Sequence, residues 1–228
     1  MKQKKWSSKN HHADSSWRMF KIMAEFADGF DRMEQFGPCI SIFGSARTKP
    51  DNPYYKLTEK IAEKLAKEGY GVITGGGPGV MEAGNKGAKK AKGKSVGLHI
   101  LLPHEEAANQ YVDHNRIFIF RYFFARKVMF IKYAQAFVYI PGGFGTMDEL
   151  FEVLTLVQTK KIQPVPIVLI GKSYWSGLLD WIKTTMLEKE HNINPADLNL
   201  FHVTDDPEEV VKIIKSHYKK ADLKPNFE

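Results

Sequence analysis

The sequence predicts an α/β protein built on a Rossmann-like, doubly wound parallel sheet of about seven strands, with helices on both faces. Three observations predict it. From residue 38 onward, short apolar runs alternate with longer amphipathic stretches, the pattern of repeated βαβ units. Several of those runs are apolar throughout rather than alternating, as strands must be when helices cover both of their sides. Two glycine-rich turns each follow an apolar run and open an amphipathic one, the place where open sheets of this kind hold ligands.

The elements follow in order. Residues 14–36 read as an amphipathic helix, because Trp17, Phe20, Ile22, Met23, Phe26 and Phe30 recur at helical spacing. Asp14 or Ser15 is placed to cap its start, and Gly37-Pro38 ends it. Strands are expected at Cys39–Phe43, Gly71–Thr74, Ser95–Ile100, Arg116–Phe120, Ala136–Ile140, Val165–Ile170 and Phe201–Val203. Helices are expected near 52–68, 79–92, 122–134, 146–159, 174–189 and 207–218. Residues 37–220 thus form one domain, preceded by a disordered basic leader at 1–13 and followed by a tail at 221–228.

Composition bounds the function. At 228 residues with 43% hydrophobic and 26% charged side chains, the chain is globular and large enough for a full core. The single cysteine, Cys39, excludes an internal disulfide and a cysteine-based metal cluster. It suits a reducing compartment, so a cytoplasmic location is expected. The N-terminus lacks the apolar stretch of a secretory signal, and no apolar run reaches the roughly 20 residues of a membrane span. The net charge of +7 is concentrated at the ends, with four lysines in the first nine residues and five in the last seventeen. Such clusters define no groove for a nucleic acid, and an anionic small molecule accounts equally well for a mild positive bias.

The two glycine turns carry most of the information. The first is Thr74-Gly75-Gly76-Gly77-Pro78-Gly79-Val80-Met81-Glu82-Ala83; the second is Pro141-Gly142-Gly143-Phe144-Gly145-Thr146-Met147-Asp148-Glu149. Glycine allows sharp turns and close approach of a ligand to the backbone, and the free N–H groups and dipole of the helix that follows favour an anion. Neither turn is a Walker A loop, since no Gly-Lys-Ser/Thr follows, and the spacing Gly75-x-Gly77-x-Gly79 misses the dinucleotide fingerprint. A third turn, Gly44-Ser45-Ala46-Arg47, adds a hydroxyl and a guanidinium at the end of the first strand.

The candidate reactive side chains each have two readings. Glu149 stands three residues after Thr146, the spacing of a capping box, yet a carboxylic acid there is also placed to protonate a leaving group or activate water. Arg126-Lys127 is either a solvated basic pair or, given its apolar surroundings, a guanidinium directed at a carboxylate or phosphate. Glu82 either complements a helix N-terminus or accepts hydrogen bonds from a ribose. His99, His104 and His114 lack the spacing of a helical zinc site and read as non-ligands, so no metal is expected. No Gly-x-Ser-x-Gly elbow is present, which removes the foothold for Ser-His-Asp hydrolysis.

Together, Gly75–Ala83, Arg126-Lys127 and Pro141–Glu149 resemble the LOG family, whose members are cytokinin riboside 5′-monophosphate phosphoribohydrolases long misnamed lysine decarboxylases. The resemblance covers about residues 38 to 218. It implies a Rossmann-like fold, a homodimer or higher homo-oligomer, no cofactor, and release of a free base and ribose 5-phosphate from a nucleoside monophosphate. It further implies that Arg126 and Glu149 are the catalytic pair and that Gly142, Gly143, Gly145 and Thr146 surround the 5′-phosphate. Ser45, Gly76, Gly77, Glu82 and Lys127 complete the expected substrate contacts. An acid at Glu82 and the added N-terminal helix resemble the longer bacterial type, some members of which act on AMP. Two other classes stand beside this reading: a non-catalytic nucleotide or molybdenum-cofactor carrier, and a pyridoxal-dependent decarboxylase, which needs a Schiff-base lysine that no motif here marks out.

Overall fold

The computed structural model describes residues 11–101, 108–219 and 221–227. Its seven strands are β1 (Cys39–Phe43), β2 (Gly71–Thr74), β3 (Ser95–Ile100), β4 (Ile117–Phe120), β5 (Ala134–Tyr139), β6 (Ile167–Ile170) and β7 (His202–Thr204). They form one sheet in the order β4-β3-β2-β1-β5-β6-β7, with every pairing parallel. The helices are α1 (His11–Met33), α2 (Pro53–Lys67), α3 (Val80–Lys90), α4 (Phe123–Lys132), α5 (Phe144–Gln158), α6 (Lys172–Trp181) and α7 (Pro207–Tyr218).

Alternation along the strands splits the interior into two cores. On β5, Ala134, Phe137 and Tyr139 join Met129, Phe130, Leu150, Val153 and Trp175 beneath α4, α5 and α6. Ala136 and Val138 turn to the other face, where Ile61, Leu65, Val80, Val210 and Ile214 from α2, α3 and α7 meet them. A strand buried on both sides meets apolar neighbours on each, which is why these runs read as mostly apolar.

The strand and helix order matches expectation; several boundaries move. The N-terminal helix is already formed at His11, so Asp14 and Ser15 stand inside it rather than at its cap, and it tightens into a 3₁₀ turn over Glu34–Phe36. The expected leader lies outside the described residues up to position 10. α5 begins at Phe144, two residues early, and this shift matters for the site. The helix expected at 174–189 is α-helical only to Trp181 and continues as π-helical turns over Ile182–Lys189. The segment expected as a tail is docked under the sheet: buried Asn226 donates to the carbonyls of Ile131 and Ala134, 2.5 and 2.7 Å away.

Candidate functional site

Between β1 and β5 the strand order reverses. The chain leaves β1 for β2 on one side and returns to β5 on the other, so the loops beyond these two strands diverge and leave a crevice. It is a cleft of about 960 Å³, walled by the turn after β1, the two glycine turns, α4 and the start of α5. The backbone knits these walls together: Ser45 N–H donates to the Pro141 carbonyl at 3.1 Å, and Val80 N–H donates to the Ser45 carbonyl at 3.0 Å. Ser45 lines the cleft, where its hydroxyl accepts from Arg47 N–H at 3.1 Å.

The second glycine turn is the open one. Gly143 is the N-cap of α5, and no side chain among the described residues caps the helix. The N–H groups of its first turn have no partner within the helix, and with the positive end of the helix dipole they belong to residues that line the cleft. A side-chain carbon placed on Gly143 or Gly145 would meet none of the described residues within 4 Å. Gly142 differs, because the space where its side chain would stand is filled by the Thr146 side chain.

Because α5 starts at Phe144, Thr146 is its third residue and Glu149 its sixth. A capping box would need the acid at the third position, so Glu149 is not a cap. Its side chain lines the cleft and is only 8% exposed, and its Oε2 has no hydrogen-bond partner among the described residues. Burial pushes its carboxyl up from 4.5 to about 7, against the pull of the Lys127 and Arg126 cations and with the help of Glu152 and Asp148. A carboxylate in that state is a stronger base than one in water and exchanges its proton near neutrality.

Neighbours on α4 diverge. Arg126 enters the cleft wall, donates from Nε to the Leu98 carbonyl at 2.7 Å, and lies over the Phe130 ring. Its guanidinium fills the space that a side chain at Gly75 would take, so the first glycine turn and the arginine are built around each other. Lys127 points away to α5, pairing with Asp148 and Glu152 at 2.9 Å each. It is not among the residues that line the cleft.

Gly77 and Met81 line the cleft beside Arg126. Gly76 and Glu82 sit behind this wall. Gly76 has a left-handed φ of +72° and lies 3.4 Å from the Gly97 backbone by way of its missing side chain. Glu82 accepts the Tyr55 hydroxyl at 2.7 Å. His99 is buried on β3, and His114 opens a short 3₁₀ turn.

Sequence reasoning missed two contributors. Tyr174 lines the cleft, but an aromatic outside a motif carries no sign of where it will face. Asn109 braces the first glycine turn from behind, its amide donating to the carbonyls of Gly76 and Gly77 at 3.0 and 2.9 Å. Among the described residues, no lysine lines the cleft. The site therefore does not fit a pyridoxal Schiff base, which must form on a lysine within the pocket.

The family model described as possible lysine decarboxylase matches residues 81–214, more than half of the chain. An uncharacterized protein of Archaeoglobus fulgidus is 30% identical over 134 residues, covering 58% of this chain and 83% of its own. A cytokinin riboside 5′-monophosphate phosphoribohydrolase of Rhodococcoides fascians is 25% identical over 181 residues, covering 78% of this chain and 89% of its own. One of the same name from Mycobacterium marinum is 29% identical over 140 residues, 60% of this chain and 73% of that one. Among solved structures, the molybdenum cofactor carrier protein of Chlamydomonas reinhardtii superposes with a TM-score of 0.59 at 24% identity, over 81% of this chain and 99% of that one. The molybdenum cofactor binding protein of Rippkaea orientalis gives 0.56 at 22% identity, over 79% and 96%. At those identities the two structures establish the fold alone. The family model and the sequence relatives establish more: this chain belongs to the LOG family, the one whose model bears the description possible lysine decarboxylase.

Proposed function

We propose that the protein hydrolyses the N-glycosidic bond of a nucleoside 5′-monophosphate, AMP or N6-prenyl-AMP, to the free base and ribose 5-phosphate. The observation that carries the proposal is Glu149: a buried carboxyl with an oxygen unpartnered among the described residues, lining a cleft that also holds a helix N-terminus none of them caps. Similarity to proteins named phosphoribohydrolases supports the same reading.

The 5′-phosphate would sit on Gly142, Gly143, Gly145 and Thr146, so that remote binding fixes the sugar for reaction. Cleavage passes through a state with oxocarbenium character at the sugar carbon. The carboxylate of Glu149 stabilises that charge and takes a proton from the attacking water as its oxygen bonds to the carbon. The C–N bond breaks, the base leaves with the electron pair, and it takes up the proton that Glu149 removed from water, which restores the carboxylate. Arg126 holds Glu149 in position or contacts the nucleotide, and the apolar Met81 and Phe123 wall the side available to the base.

The working form would be a homodimer in the cytoplasm. Trp17, Phe20 and Met23 on α1, Phe123 and Phe124 on α4, and Phe144 and Phe151 on α5 are each at least 36% exposed. At roughly 200 Å² per large side chain they present on the order of 800 Å², one partner's share of a standard interface.

One panel tests the function. The protein is incubated with AMP, GMP, CMP, UMP and a prenyl-AMP, and ribose 5-phosphate is assayed. Release from AMP or prenyl-AMP is expected; quantitative recovery of all five nucleotides after long incubation with protein that binds them would establish a carrier instead.

A further inference from the structure

Tyr174, on the first turn of α6, lines the cleft, and its hydroxyl donates a hydrogen bond to the Gly142 carbonyl. That carbonyl is the hazardous group of the second glycine turn. In a trans peptide the Gly142 C=O and the Gly143 N–H point in opposite directions. With glycine on both sides, the peptide plane rotates at little steric cost. Rotation would bring the carbonyl's lone pairs to the side where the turn must offer an N–H to an anion.

The hydroxyl is presented from a rigid platform. Gly171, at a left-handed φ of +102°, leaves its side-chain space to Pro141 and the Tyr54 hydroxyl, 3.0 and 3.1 Å from where a side-chain carbon would stand. Asp205 accepts from the N–H of Gly171 at 2.6 Å and of Lys172 at 3.2 Å, fixing the entry to α6. The next residue, Trp175, is fully buried, donates to the Ile170 carbonyl at 2.9 Å, and meets the Tyr174 ring edge-on with centroids 4.9 Å apart.

We infer that Tyr174 is a positioning residue for phosphate binding: it clamps the Gly142–Gly143 peptide in the orientation that keeps the carbonyl off the anion and the Gly143 N–H available to it. The inference rests on the nucleotide reading above. It brings β6 and β7, the edge of the sheet remote from the first glycine turn, into the site through Asp205 and α6.

The test is Tyr174→Phe, which keeps the ring and its contact with Trp175 and removes only the donor. Ribose 5-phosphate and adenosine are titrated separately by calorimetry into the wild type and the variant, and kcat and KM are measured on whichever nucleotide is cleaved. Losing the clamp is expected to weaken ribose 5-phosphate about fivefold and raise KM by a similar factor, with kcat within twofold and adenosine unchanged. A general loosening of the fold would weaken adenosine and ribose 5-phosphate alike, and that result overturns the inference. So does unchanged ribose 5-phosphate affinity in the variant. A second variant, Asp205→Asn, loosens the platform and is expected to shift ribose 5-phosphate in the same direction by less. If the wild type itself fails to bind ribose 5-phosphate, the nucleotide reading falls, and not the role of Tyr174 alone.

Discussion

The two glycine turns look alike in sequence and do opposite things in space. In the first, the room that glycine leaves is filled by the protein: the Arg126 guanidinium at Gly75, the Met81 side chain at Gly77, and the Ser45 and Ala46 backbone at Gly79. In the second, Gly143 and Gly145 leave open space at the head of an uncapped helix. Glycine is required in one turn because protein comes close, and is useful in the other because a ligand can. The first turn is packed as framework, and the proposed function makes the second the receptor, with Arg126 and Glu149 lining the same cleft.

The largest expected effect falls where the receptor meets the chemistry. Glu149→Gln should lower the release of ribose 5-phosphate by about 10²–10⁴-fold, the usual contribution of a positioned acid–base group, while ribose 5-phosphate still binds. Wild-type turnover in this variant would remove Glu149 from the mechanism. For the wild type, kcat/KM should rise with pH as Glu149 ionises, with a midpoint near 7 in the free enzyme.

The same carboxyl should weaken the fold at high pH. Its folded value, about 7, lies above the ordinary 4.5, so the native state holds the proton more tightly than the unfolded chain does. The contribution of Glu149 to stability is therefore most favourable below about pH 4.5, falls as pH rises, and levels off above about 7. The full span is up to about 3 kcal/mol. Denaturant titrations at pH 5 and pH 8 should show Glu149→Gln gaining on the wild type at pH 8, and an equal difference at both would contradict the burial argument.

A pair of substitutions separates framework from receptor. Gly79 has φ +69°, and a side-chain carbon there would stand 2.5 Å from the Ser45 carbonyl oxygen. Gly79→Ala should cost more than about 2 kcal/mol of stability. Gly143, at φ −93° with nothing within 4 Å, accepts a methyl group, so Gly143→Ala should melt within about 0.5 kcal/mol of the wild type. Its KM should nonetheless rise about 10- to 100-fold, because the methyl group displaces the phosphate from the backbone. If Gly143→Ala binds nucleotide normally, the second turn is not the receptor.

The smallest effect belongs to Lys127. Its charge lowers the Glu149 value from outside the cleft. Lys127→Met should move the midpoint of the pH–rate profile upward by less than about one unit, with KM little changed. A large rise in KM would return Lys127 to direct contact with the substrate.

Much of this was legible along the chain. Runs such as Cys39–Phe43 and Ile167–Ile170 announce buried strands because both of their faces must be apolar, and that requirement is local. The glycine turns announce themselves because backbone that bends sharply between strand and helix favours residues without side chains. The ambiguity at Glu149 was also local: the spacing Thr146-x-x-Glu149 is the same for a capping box and for an acid one turn further along. The start of α5 at Phe144 resolved it.

By itself, the sequence determined the parallel α/β architecture, the two turns, and Arg126 and Glu149 as a pair worth joining. Only the tertiary structure decided that Arg126 faces the cleft while Lys127 faces α5, that Glu82 is held by Tyr55, and that Tyr174 arrives from α6 to grip Gly142. Periodicity reports which side of its own helix or strand a residue occupies. Where that side points is set by neighbours brought together from distant parts of the chain, and in this protein those neighbours separate the closely packed glycines of the first turn from the open ones of the second.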